Sequence, residues 1–259
     1  MSAPTAGYFR PGRSWLHRRN PVTKLLGLIW VVLSAFLLPP VGLLVLVGLV
    51  AVAAASAGVL VAVVKSLRVP AVLFASILIV NALFYPGAHD ALARLGPLAV
   101  TREGLSFGLV SAGRLLVAFS ASILFLFTTL ADDLLEALVA RGASHRISFV
   151  VLSAVQMVPR LQGRAGAILE AQQARGLETS GSVIRRVRAL VPLAGPLLLG
   201  SLIDVRERTF ALEARAFGAR PGRTAYRVVP DPAVDQWLRL GIVAAMVGVV
   251  IVAAAGVLR

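Results

Sequence analysis

The feature that most constrains this chain is a series of nearly uncharged apolar stretches, each close to the length that crosses a hydrocarbon core of roughly 30 Å. They run from Leu25 to Leu38, Val41 to Val64, Val69 to Tyr85, Gly104 to Leu130 and Leu238 to Leu258. A soluble domain would not carry them, and hydrophobic residues make up 58% of the chain. Hydrocarbon offers no partner for backbone N–H and C=O groups, so spans of this length satisfy them internally as helices. The expectation is an all-α membrane protein with about five transmembrane helices.

The charges sit between the apolar stretches. The net charge is +14, from 26 Lys and Arg against 12 Asp and Glu. They form no single patch interleaved with aromatics, which argues against nucleic acid as a partner and for basic cytoplasmic loops beside membrane lipid. Arg10, Arg13, Arg18, Arg19 and Lys24 precede the first stretch, no Lys or Arg separates it from the second, and Lys65 and Arg68 follow the second. This bias places the N-terminus in the cytoplasm, and five spans put the C-terminus outside; the expected location is a bacterial cell membrane, crossed several times. Pro39-Pro40 ends the first helix, because proline cannot continue the hydrogen-bond ladder. The first stretch starts late and lacks a small-residue cleavage site, so it reads as a retained span. Arg114 lies inside the fourth stretch, at a cost of about 2.5 to 3.5 kcal/mol for a central arginine.

Several chemistries are excluded or disfavoured. The chain has no cysteine, and His17, His89 and His145 fall in three separate segments without metal-ligand spacing. No G-x-x-x-x-G-K-[ST] occurs, so the chain holds no P-loop for ATP.

The organisation follows: residues 1–23 a basic cytoplasmic segment, 24–131 transmembrane helices 1 to 4, 132–236 a basic cytoplasmic insertion, and 237–259 the final transmembrane helix. From Asp132 to Asp235 the insertion carries 14 Arg and 10 acidic residues. Ile147 to Val158 is apolar and ends at Pro159; Ala189 to Ile203 is apolar but holds Pro192 and Pro196. Both are too short or too broken to span, and each leads into a charged amphipathic half. Asp204 and Arg208 form a favourable i, i+4 pair, and the second half runs out near Gly218, before Pro221. The two halves end alike, in Ala174-Arg175-Gly176 and Ala214-Arg215-Ala216. A basic residue and a glycine suit any helix C-terminus. A small residue on each side of arginine also lets a helix end enter a groove, where the guanidinium can make forked bonds. Ala140-Arg141-Gly142, after the acidic turn Asp132-Asp133-Leu134-Leu135-Glu136, is a third copy and reads as a decoy.

Nearly the whole chain resembles the transmembrane T component of energy-coupling factor transporters, the family that includes the cobalt-transport membrane subunit. Leu16-His17-Arg18-Arg19-Asn20-Pro21-Val22-Thr23-Lys24-Leu25 is similar to the family's opening segment, usually Leu-His-Arg-Leu-Asp-Pro-Arg-Thr-Lys-Leu, with Asn20 and Val22 departing from its Asp and Arg. Physically this is a helix start, with Asn20 as N-cap, Pro21 at the first helical position and Lys24 at headgroup level. Lys65 to Pro70, Asn81 to Gly87 and Thr128-Thr129 fall in the family's order, and the paired Ala-Arg-small motifs match the tips of its two long cytoplasmic coupling helices. The resemblance implies ATPase-binding roles for Ala174, Arg175, Gly176, Ala214, Arg215 and Ala216, with Ala216 in place of the usual glycine. It implies two cytosolic ABC ATPase subunits, alike or different, one membrane substrate-binding S component, and no cofactor in this chain, ATP and Mg being bound by the ATPases. The function implied is a non-catalytic coupling subunit for vitamin or transition-metal uptake.

Other classes stay open on sequence. An ordinary ABC permease would bind substrate itself and present one coupling loop. A secondary transporter or channel would carry ionisable groups or broken helices within its spans, and a membrane enzyme would need clustered catalytic groups.

Overall fold

The computed structural model describes residues 9–12, 14–85, 91–95, 98–177, 183–217 and 229–256. The chain divides into two compact units, Met1–Gly142 with Val229–Arg259, and Ala143–Val228.

Unit 1 begins with α1 (Pro21–Leu37). Its start is encoded locally: the Asn20 side chain accepts from the Val22 N–H at 3.0 Å, and Pro21 occupies a position whose N–H has no helical acceptor. The Pro39-Pro40 break leads to α2 (Pro40–Ser56), then α3 (Leu60–Ser66) and α4 (Ala71–Phe84). Strands β1 (Ala91–Leu95) and β2 (Leu98–Thr101) form an antiparallel hairpin that feeds α5 (Arg102–Thr128). Then come α6 (Ala131–Val139) and, after unit 2, α9 (Ala233–Ala254).

The stretch from Val41 to Val64 is therefore two helices. Gly58, at φ +70°, closes α2: its N–H reaches Ala55 O at 2.9 Å and the Val59 N–H reaches Ala54 O at 3.0 Å. These are the two bonds of a Schellman cap, and the left-handed conformation that makes them is open to glycine without strain. A separate break between Ser66 and Ala71 makes α3 and α4 a pair bent by 58°, and Lys65 and Arg68 sit exposed at or beside the bend. Among the described residues α5 and α9 are each long and apolar enough to cross a membrane, the bent pair makes a third, and α1 and α2 are shorter apolar helices. At 17 residues those two are at the lower end of the spanning range. Pro86, Gly87, Asp90 and Leu258, used above to bound spans and loops, lie outside the described residues.

Small residues set the packing. Gly104 and Gly108 are buried one turn apart on α5. A side chain at Gly104 would collide with the Asn81 carbonyl of α4, and a Cβ at Gly108 would stand 3.3 Å from the Leu78 Cα. This close approach of two apolar helices is what spaced glycines permit in a membrane. The core runs through Val31 and Ala35 of α1, Leu43, Leu46, Val50 and Ala54 of α2, and Val117, Ala121, Leu124 and Phe127 of α5.

Unit 2 holds α7 (His145–Ala174) and α8 (Val183–Ala214). Its apolar and charged halves are continuous: Pro159 lies inside α7, and Pro192 and Pro196 inside α8. The last two are four residues apart, so the missing backbone bonds fall on one helix face and leave the other ladder rows intact.

Candidate functional site

The Phe149 and Phe217 rings lie 4.8 Å apart, joining the start of α7 to the end of α8. Further along, Arg164 grips Asp204 in a fork, Nη1 at 2.9 Å from Oδ2 and Nη2 donating to Oδ1 at 3.2 Å. Gly200 makes room for it, since a Cβ there would stand 2.8 Å from Arg164 Nη1. These contacts make α7 and α8 antiparallel, and they give Asp204 a partner on the other helix. Roughly 40 Å of helix separates Phe149 from Arg175. Arg175 and Arg215 therefore stand at opposite ends of the pair.

The two ends are built alike. In α7, Ala174 is the last helical residue, Arg175 is the C-cap, and Gly176 has φ +94°. The Gly176 N–H reaches Gln173 O at 2.9 Å and the Leu177 N–H reaches Gln172 O at 3.0 Å. In α8, Ala214 is last, Ala216 has φ +55°, its N–H reaches Glu213 O at 2.9 Å, and the Phe217 N–H reaches Leu212 O at 3.0 Å. Both are Schellman caps with arginine at the same position. Gly218 and Pro221, expected to stop the second helix, lie outside the described residues, and the helix has already closed at Ala214.

Ala216 is the one non-glycine residue at positive φ among the described residues. An alanine there costs about 1 kcal/mol relative to glycine, which the flanking bonds of the cap offset. Arg175 and Arg215 are both exposed, and among the described residues neither guanidinium is engaged. Arg141 differs. Its Nη1 donates to Ala137 O at 2.9 Å and its Nη2 to Asp231 Oδ2 at 2.9 Å, so this third motif is occupied within unit 1.

A second polar cluster in unit 1 was not legible from spacing. Asn20 Nδ2 donates to Pro230 O at 3.1 Å, and the Asn20 N–H lies 3.4 Å from Oδ2 of the fully buried Asp235, whose Oδ1 faces Arg19 at 3.9 Å. Lys24 turns inward, donating to Thr128 O at 2.6 Å and His17 O at 3.3 Å, where the sequence suggested a headgroup contact. His17 Nε2 donates to Arg10 O at 3.0 Å and Nδ1 accepts from Ser14 Oγ at 2.7 Å, the neutral tautomer. Burial holds its pKa below the ordinary value, ahead of the opposing effect of the Arg10 carbonyl. The contacts of Asn20 with Pro230 and Asp235, of Arg19 with Asp235 and of Lys24 with Thr128 pair residues more than 100 positions apart, which only the fold brings together.

Fold and site together define a helical membrane protein that carries two exposed, identically capped arginine ends. Comparison with known proteins narrows that class. The CbiQ family, described as Cobalt transport protein, matches residues 12–226. The energy-coupling factor transporter transmembrane protein EcfT of Heliobacterium modesticaldum is 32% identical over 234 residues, 86% of this chain and 87% of its own. EcfT of Thermanaerovibrio acidaminovorans is 31% identical over 256 residues, covering 94% and 93%, and that of Acidaminococcus fermentans 29% identical over 234 residues, covering 85% of each. The chain belongs to this family, the transmembrane components of energy-coupling factor transporters.

Proposed function

We propose that the chain is the coupling subunit of an energy-coupling factor importer, with its N-terminus in the cytoplasm and several membrane passes. The ends of α7 and α8 each dock on one of two cytosolic ABC ATPase subunits, and the membrane helices hold a separate substrate-binding subunit for a vitamin or a transition metal. The observation that carries this reading is the pair of Schellman-capped ends with exposed arginines, one at each end of an antiparallel pair. Two equivalent sockets on an ATPase dimer need two equivalent plugs held apart, and the capped ends of α7 and α8 suit that role.

An arginine at a helix C-cap adds its charge to the negative end of the helix dipole and points its donors past the last turn. The small residues on either side leave the guanidinium as the leading group. Closure of the ATPase dimer on ATP would change the spacing of its sockets, and long helices pass such a displacement on as rigid elements. The chain itself hydrolyses nothing; ATP and Mg belong to the partners.

The test is co-purification. Arg175→Ala and Arg215→Ala should each weaken ATPase association by about 2 kcal/mol, a typical anchor residue, and the double variant should abolish uptake while the chain still inserts in the membrane. A double variant that still co-purifies with the ATPases and still supports uptake overturns the reading.

A further inference from the structure

Arg141 and Asp231 stand where the chain passes between its two units. The first segment of unit 1 ends at Gly142 and its second resumes at Val229. Whatever unit 2 transmits along the covalent chain must pass these two points, and a single carboxylate joins them. Arg141 Nη2 donates to Asp231 Oδ2 at 2.9 Å. From the second turn of α9, Arg239 closes a fork on the same carboxylate, Nη1 to Oδ1 at 2.8 Å and Nη2 to Oδ2 at 2.9 Å.

Each partner of that carboxylate is anchored in turn. Arg141 Nη1 holds the Ala137 carbonyl in the last turns of α6, where Ala137 itself is buried. Arg239 Nη1 also lies 3.4 Å from Thr23 Oγ1 in the first turn of α1. Beside Asp231, the Pro230 carbonyl accepts from Asn20, the residue that caps α1. One acidic side chain thus ties the end of α6, the start of α9 and the start of α1 to both crossings. The hydrogen bond from Arg239, with the charges of Arg239 and Arg141, holds its carboxyl below the usual carboxylate range, so the clamp stays charged through the neutral region.

We propose that Asp231 is a positioning residue that makes the two crossings one rigid pivot, so that movement of α7 and α8 reaches α1, α6 and α9 together. Without it the crossings are two independent tethers, and displacement at the arginine ends is absorbed in them before it reaches the membrane helices. An isolated exposed ion pair contributes little. Here forked geometry and a shared carboxylate set direction as well as energy. Arg141, a chance copy of the tip motif by sequence, takes its role from Asp231.

The proposal rests on the docking reading, and its test separates the two. The full complex, with its ATPases and substrate subunit, is reconstituted in liposomes; ATPase co-purification and uptake per ATP hydrolysed are measured. Asp231→Asn should leave co-purification within about twofold of wild type and lower uptake per ATP about fivefold, a coupling loss of ordinary size. Asp231→Glu should recover most of that loss. The chain has no native cysteine, so a bis-maleimide applied to the purified chain before assembly can link Arg141→Cys to Asp231→Cys specifically, and the complex assembled from the linked chain should transport as well as wild type. Unchanged uptake per ATP in Asp231→Asn, loss of co-purification in that variant, or arrest of uptake by the link would each overturn the pivot. Failure of the docking reading shows elsewhere, as ATPases retained by the Arg175 and Arg215 double variant.

Discussion

Units 1 and 2 are both built of helices, yet they treat apolar side chains in opposite ways. Unit 1 has a continuous core in which α1, α2 and α5 bury alanine, valine and leucine against one another, and spaced glycines bring α4 onto α5. Unit 2, among its described residues, buries Leu193 and Ser148, while Ile147, Val150, Val191, Leu198, Leu199, Leu202 and Phe210 are exposed. A cavity of about 460 Å³, lined by Pro159, Gly163, Arg164 and Asp204 among others, lies beside the ion-pair fork of α7 and α8. The difference teaches where rigidity comes from in each unit. Unit 1 gets it from packing, and unit 2 from the helices themselves, two prolonged ladders joined by a fork and a ring contact. On the proposed coupling reading unit 2 acts as a lever, and long continuous helices with few buried side chains suit that role.

The comparison can be broken at its strongest point first. Gly104→Leu in unit 1 forces a side chain against the Asn81 carbonyl and the Tyr85 Cβ of the neighbouring segment. Overpacking of this kind costs about 1 to 3 kcal/mol, and backbone on the other side puts this case at the upper end. Thermal unfolding of the full chain in detergent should fall accordingly. An unchanged midpoint would mean that the α4–α5 contact does not carry the core.

Much of this contrast was legible in the sequence, and the exceptions are instructive. Hydropathy and length gave the apolar helices, because a bilayer leaves the backbone few choices. The N-cap role of Asn20 and the left-handed Gly176 follow from local chemistry and are present. Gly58 was missed as a helix end because an uninterrupted apolar run masks a single glycine. Pro159, Pro192 and Pro196 argued for breaks that do not occur, since each proline removes one bond while long flanking ladders hold the rest. The hairpin before α5 lay hidden in a short loop. The place of Arg175 and Arg215 at helix ends was readable from their repeat, whereas the Asp231 clamp was not, because Arg141 and Asp231 are separated by the whole of unit 2. The residue that Asp204 pairs with across the helices was unreadable for the same reason.

A middle-sized effect sharpens the other side of the comparison. Gly163 and Gly166 lie inside α7 with open space where a Cβ would go. Changing either to alanine should stabilise the helix by about 1 kcal/mol, seen as slower amide exchange around it. In unit 1 the same change at Gly104 is a collision. A gain at Gly163 together with a loss at Gly104 supports stiffness by ladder in one unit and by packing in the other; losses at both would erase the distinction. At the tip, Ala216→Gly should relieve about 1 kcal/mol of strain and slow exchange at the end of α8. It should leave ATPase association within about twofold, because the cap geometry is retained; a larger drop would show that the alanine methyl itself meets the partner.

The smallest effect concerns the Asp231 clamp, at the edge of the packed unit. Its carboxyl has a pKa below the ordinary 3.8 in the folded chain, the hydrogen bond from Arg239 being the largest cause. A depressed carboxylate contributes stability that is fully present above its unfolded value, near 4, and lost as pH falls through its folded value. Asp231 is well exposed, so the contribution is at most about 1 kcal/mol. The difference in thermal stability between wild type and Asp231→Asn should be constant above pH 5 and close as the carboxyl protonates toward pH 3. The uptake-per-ATP defect of Asp231→Asn at neutral pH should far exceed what so small a stability term explains. If instead the stability gap were large and independent of pH, Asp231 would be holding the fold of unit 1 and the pivot would have no separate existence.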